Sequence, residues 1–140
     1  MDRAPAKEIP WGKVKRSATV QTPIEAAVLM PHMHWRGKDM TYRVTYPSGE
    51  TQTLLTVNRY EFNWQLAYEL EKPLSLPKGT KIEVTAHYDN SPNNRLNPYA
   101  GEAAVFGDQT WQEMFIGFVG ALVPVDQSVK GLISMDPRGQ

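Results

Sequence analysis

The 140-residue chain balances 15 Lys+Arg against 15 Asp+Glu, for a formal net charge of zero, and 41% of it is hydrophobic. Neutrality argues against nucleic acid or an anionic membrane surface as the main partner, and no apolar run approaches the ~18 residues of a membrane span. The absence of cysteine excludes disulfides, thiolate metal sites and a Cys nucleophile, so any metal must be held by His, Met, carboxylate or backbone.

The length suits one domain with its own core. Residues 1–17 are polar, basic and broken by Pro5 and Pro10. They read as a lead-in, with Trp11 packing down onto the fold. The opening Met1-Asp2-Arg3-Ala4-Pro5 lacks the apolar stretch of a signal peptide. A β-rich segment over residues 18–30 is interrupted by Pro23. In residues 40–46, Met40, Tyr42, Val44 and Tyr46 alternate with polar neighbours. Pro47-Ser48-Gly49-Glu50 is a turn signal, and residues 52–57 return, so a hairpin is expected.

Residues 62–68 read as the next strand, with Phe62, Trp64, Leu66 and Tyr68 on one face, and residues 71–80 as a Pro-rich connection. In residues 81–89, Ile82, Val84, Ala86 and Tyr88 form an apolar face, opposite Glu83, Thr85, His87 and Asp89. Residues 89–110 are rich in Asn, Pro and Gly and read as a long loop, a kind of segment that tends to be functional. Residues 111–123 form the last strong strand, and residues 125–140 a weakly patterned tail. No stretch has helical periodicity. Short strands with turn signals every ~8–12 residues indicate an all-β, jelly-roll-like antiparallel β-sandwich over residues 18–124.

Two of the three histidines lie in Met30-Pro31-His32-Met33-His34-Trp35-Arg36-Gly37-Lys38. In an extended segment residues i and i+2 share a face, so His32 and His34 present two imidazoles side by side, a half-site for a transition metal. His87 lies on the polar face of its strand. Met114 shares a face with Ile116 and Phe118 and, taken alone, reads as a core methionine; as a ligand, its thioether would select copper, above all Cu(I). Glu25, Glu102, Asp108 and Glu113 show no paired-carboxylate pattern, the serines no triad context, and no Gly-rich phosphate loop is present. Trp35, Trp64, Trp111 and Tyr60 read as buried sandwich aromatics rather than a sugar-binding platform.

Three segments then line up in order: the His-x-His-x-x-Gly-Lys motif at His32–Lys38, Ala86-His87-Tyr88-Asp89-Asn90-Ser91, and Gly107-Asp108-Gln109-Thr110-Trp111-Gln112-Glu113-Met114. Together they resemble the C-terminal domain of the copper type II, ascorbate-dependent monooxygenases, the family of peptidylglycine α-hydroxylating and dopamine β-monooxygenase, and most of all its bacterial branch. The resemblance covers residues 18–123. It implies one copper held by His32, His34 and Met114, with an open position for O2, and hydroxylation of a C–H bond on a small-molecule substrate. It also implies a reductant such as ascorbate and a periplasmic or extracellular location. An N-terminal partner domain would carry the second, electron-storing copper, because its further histidines are missing from a chain with three.

His87 has no counterpart among the family's ligands, and the resemblance leaves it as a neighbour of the ligands or an extra one. Where the peptide-amidating members hold a substrate carboxylate with Arg, Asn and Tyr, this chain has Met30, Ile116 and Phe118, which points away from a peptide carboxylate and towards a more hydrophobic substrate. Two further readings stand beside this one. A cupin-like metal enzyme would use His32, His34, Asp39 and His87, although Ala26 replaces an expected glycine and Pro77–Gly79 lies too far from His87. In a non-catalytic β-sandwich interaction module the histidines would be incidental.

Overall fold

The computed structural model describes residues 12–137. The expected packing of Trp11 lies outside them. Eight strands follow one another: β1 (Lys13–Val20), β2 (Ile24–Met33), β3 (Gly37–Thr45), β4 (Thr51–Val57), β5 (Tyr68–Leu76), β6 (Lys81–Tyr88), β7 (Phe115–Leu122) and β8 (Ile133–Met135). They form two antiparallel sheets, ordered β4-β3-β6-β1-β8 and β5-β2-β7. The all-β antiparallel sandwich expected from the strand pattern is what the chain forms.

Alternation places the core. Met40, Tyr42 and Val44 of β3 and Ile82, Val84, Ala86 and Tyr88 of β6 are buried and meet Ile24, Ala26, Leu29 and Met33 of β2. Gly117 leaves room for the facing layer, since a Cβ there would lie 2.7 Å from Val84 Cγ2. The hairpin β3–β4 turns at Gly49, whose φ of 89° is open to glycine and costly for other residues.

Three boundaries differ from the sequence pattern. Pro23 ends one strand and starts another, so the segment at 18–30 is two strands in different sheets. β1 begins at Lys13, inside the stretch read as a lead-in, and β8 lies in the tail, where it pairs with β1. Residues 62–68, expected as a strand, instead form a turn in which the Trp64 amide donates to the Glu61 carbonyl, and the strand is β5. β5 runs through Pro73 because it is a sheet edge, where a missing N–H costs no ladder bond.

Pro31 lies within β2, a central strand, and period 2 explains why it is tolerated. The Met33 N–H points at the Tyr60 hydroxyl, so the missing N–H two residues earlier faces the same way, away from β7. β5 has already left that side, its pairing ending at Leu29↔Tyr68. Tyr60 closes this free edge: its hydroxyl accepts from Met33 N at 3.0 Å and donates to Met33 O.

Candidate metal centre

The two histidines of the His-x-His motif come from the end of β2 and the turn that follows it. Met33, between them, is fully buried, so His32 turns outward, and the ring centroids of His32 and His34 lie 5.3 Å apart at 87°. The turn closes with Gly37 N donating to His34 O. Gly37 is required by contact: a Cβ there would meet Met33 Cβ at 2.6 Å and Tyr60 Cδ1 at 2.9 Å. The glycine of the motif is thus explained by packing of the turn onto the residue between the two histidines.

Each imidazole has its Nδ1 against an acceptor. His32 Nδ1 lies 2.7 Å from Gln65 Oε1, and Gln65 is fixed in that sense because its Nε2 donates to Phe62 O at 2.9 Å. His34 Nδ1 faces the Gln112 carbonyl at the longer distance of 3.4 Å. A carbonyl oxygen accepts only, so Nδ1 carries the hydrogen in both rings and Nε2 keeps the lone pair. Burial lowers the pKa of His34, against the Gln112 carbonyl, which raises it; His32 lowers it further, and the Gln109 carbonyl and Asp108 raise it. The net direction favours the neutral ring, the form that ligates a metal. Phe62 stands edge-on to His34 at 5.7 Å, and Phe118 lies 6.3 Å from His32.

Met114 enters through the register of β2 and β7. The pairs Met30↔Phe118, His32↔Ile116 and Met33↔Phe115 continue by one step to His34 opposite Met114. Phe115, Gly117 and Val119 face the core, so Met114, Ile116 and Phe118 take the other face, the one that carries His32. The reading of Met114 as a core methionine is thereby corrected: the shared face exists, but it is the outer face of the sheet.

One carboxylate ties these segments together. Glu113 is fully buried and accepts from His34 N at 2.5 Å, Met114 N at 3.1 Å and Arg36 N at 3.1 Å. Burial raises its pKa, opposed by these three N–H groups and by Arg36. The Arg36 side chain, 1% exposed, donates from Nε to Asn90 Oδ1 and from Nη1 to Trp111 O, with Nη1 4.0 Å from Glu113 Oε2. Asn90 in turn accepts from Asn97 Nδ2, and Asn94 Nδ2 donates to Trp35 O, so the long loop is stitched to the His34 turn. The Tyr88 hydroxyl donates to Met114 O at 2.8 Å, and burial raises the pKa of that phenol. The acid–base candidate Glu113 is thus a fastening for the backbone on both sides of the centre.

His87 is not brought to this centre. It lies on the outer face of the other sheet, with Nδ1 2.6 Å from Asp39 Oδ1 and its side chain 45% exposed. It is therefore neither an extra ligand of the His32/His34 pair nor a partner of those rings. The cupin-like set of His32, His34, Asp39 and His87 is split between two sheets, and no group of three or more His, Cys, Asp or Glu placed to hold a metal occurs among the described residues.

Of the aromatics expected in the interior, Tyr60 is buried, but Trp64 is 71% and Trp111 53% exposed. Trp35 is half-buried and stacks on Tyr99 at 6.1 Å. Gln65, Asn90 and Phe62 were not singled out by the sequence. Their partners lie far along the chain, and only the Ala86–Ser91 segment carried a hint, through Asn90.

No family model, curated protein or solved structure matches this chain.

Proposed function

We propose that the chain is the copper-binding, oxygen-activating half of an ascorbate-dependent monooxygenase, with His32, His34 and Met114 as the ligands. The observation that carries the reading is the matched state of the two imidazoles: both bind an acceptor through Nδ1, and both keep Nε2 for a metal. Such partners orient a ligand ring and fix its tautomer. The donor set fits the group. Two neutral imidazoles and a thioether, without a thiolate, suit a copper ion that cycles through Cu(I).

Bound copper would supply the reduction of O2 by two electrons and two protons, with one oxygen atom entering a substrate C–H bond and the other leaving as water. The residues of the chain prepare that chemistry. Gln65 and the Gln112 carbonyl hold the ring hydrogens on Nδ1. Glu113 holds the backbone of His34 and Met114 in one frame. Phe62 and Phe118 stand beside the imidazoles and give them apolar neighbours. A partner domain would deliver the electrons, because this chain has three histidines in all.

Competition of the full chain against a Cu(I) chelator tests the reading. One Cu(I) per chain is expected, with binding lost in His32→Ala and His34→Ala and strongly weakened in Met114→Ala. A chain that takes up no stoichiometric Cu(I) would overturn it.

A further inference from the structure

The two sheets differ in width, and one side of the sandwich is left open. β7 packs over β6 and β3, since a Cβ on Gly117 would meet Val84 at 2.7 Å and Tyr42 at 3.3 Å. β7 is also the last strand of its sheet, whereas the facing sheet continues past β6 to β1 and β8. Between β7 and the inner faces of those two strands runs a cleft of about 220 Å³, lined by Ala18, Val84, Phe115, Val119, Ile133 and Met135. Ile82, Val119 and Ile133 also line a second cleft, of about 240 Å³, so the two adjoin along β7. Joined, they reach the size at which ligand pockets begin, roughly 300 Å³.

One residue of this lining breaks its pattern. On β1 the inward positions are Val14, Arg16, Ala18 and Val20, and all but Arg16 are buried apolar residues. Arg16 stands opposite Val84 in the β1–β6 register, half-buried at the mouth of the cleft. Its Nη1 donates to the neighbouring Lys15 carbonyl at 2.8 Å, which takes up one N–H of the guanidinium and none of its charge. No carboxylate pairs with it among the described residues: the ion pairs there use Lys15, Arg36 and His87.

Charge complementarity therefore specifies the occupant. A wholly apolar molecule would leave the guanidinium beside it unpaired, and a small polar anion would leave the cleft unfilled. A molecule with one apolar tail and a carboxylate head satisfies both, with the tail between the sheets and the head bidentate on Arg16. We propose that this cleft binds a single-chain carboxylate amphiphile of the medium-chain fatty acid type, with Arg16 as its anchor. The site lies on the inner face of β7, opposite to the face of Met114 and His32, and it stands whether or not a metal binds there.

The test is a pair of probes equal in chain, octanoate and 1-octanol, titrated below their aggregation limits into the full chain and followed by amide shifts in two-dimensional NMR. Octanoate is expected to shift the amides of Ala18, Val84, Gly117 and Ile133, and 1-octanol to bind about tenfold more weakly. Arg16→Gln is expected to lower the affinity for octanoate to that for the alcohol, and Arg16→Lys to keep a reduced preference for the carboxylate. Octanoate that shifts nothing in the cleft, shifts confined to His32 and its neighbours, equal affinity of the wild type for the two probes, or a preference unchanged in Arg16→Gln would each overturn the proposal. The same spectra identify the other role open to an inward arginine, that of keeping the free β7 edge from pairing with a second chain. Concentration-dependent line broadening in Arg16→Gln, together with no discrimination between the probes in the wild type, would establish that role and overturn the binding site.

Discussion

The two outer faces of the sandwich contrast sharply. On the five-stranded sheet the rows across β1, β6 and β3 read Lys13–His87–Asp39, Lys15–Thr85–Thr41 and Ser17–Glu83–Arg43, every position polar. On the three-stranded sheet the rows carry Ile116, Met30 and Phe118 beside His32. Each face also presents an imidazole, and the partners differ in kind. His87 meets a carboxylate in the open, whereas His32 and His34 meet uncharged carbonyl oxygens, with His34 buried. An imidazole beside a solvated carboxylate makes a surface contact, worth little to the fold. Imidazoles whose hydrogens are fixed by neutral acceptors keep the second ring nitrogen open to a ligand.

The largest effect should come from the buried fastening behind the second face. Glu113→Ala removes the acceptor of three backbone N–H groups and leaves Arg36 without its carboxylate. A loss of about 3–5 kcal/mol is expected in denaturant unfolding, as for other broken buried pairs. Gly37→Ala comes next. Its Cβ would collide with Met33 and Tyr60, and about 1–3 kcal/mol should be lost through overpacking, read in the same experiment.

The sharpest contrast between the faces is a matched pair of variants. Gln65→Leu frees the His32 ring, and Cu(I) affinity should fall about 10–100-fold while stability changes by about 1 kcal/mol or less. Asp39→Ala frees His87 instead; Cu(I) affinity should be unchanged and stability should shift by no more than about 0.5–1 kcal/mol. Chelator competition and urea melts on the two proteins side by side would show whether one face differs from the other in function. Equal effects on copper would remove the distinction.

Much of the fold was legible because alternation is a local signal. β3, β4, β6 and β7 follow from period 2, and the turn at Gly49 from its Pro-Ser-Gly sequence. β5 was hidden by Pro73, which reads as a breaker unless the strand is known to lie on an edge. In residues 62–68 the alternation of Phe62, Trp64, Leu66 and Tyr68 imitated a strand. Those residues serve instead to bring Phe62 to His34 and Gln65 to His32.

At the candidate centre, His32 and His34 were legible from a spacing of two. The face occupied by Met114 was legible too, but whether it pointed in or out depended on which neighbours filled the core, and Phe115 and Val119 filled it. Gln65 pairs with a residue 33 positions away, and Glu113 with residues 79 and 77 positions away. Such contacts leave no periodic trace. Glu113 was visible only as a carboxylate without a partner, and its task emerged once the β2 and β7 ends were adjacent.

The most direct test of the central claim is X-ray absorption at the copper edge on the Cu(I)-loaded full chain and on its Met114→Ala variant. Two nitrogen scatterers of imidazole type and one sulfur are expected in the wild type, with the sulfur gone and both imidazoles kept in the variant. A wild-type spectrum with nitrogen and oxygen ligands alone, unchanged by Met114→Ala, would contradict it.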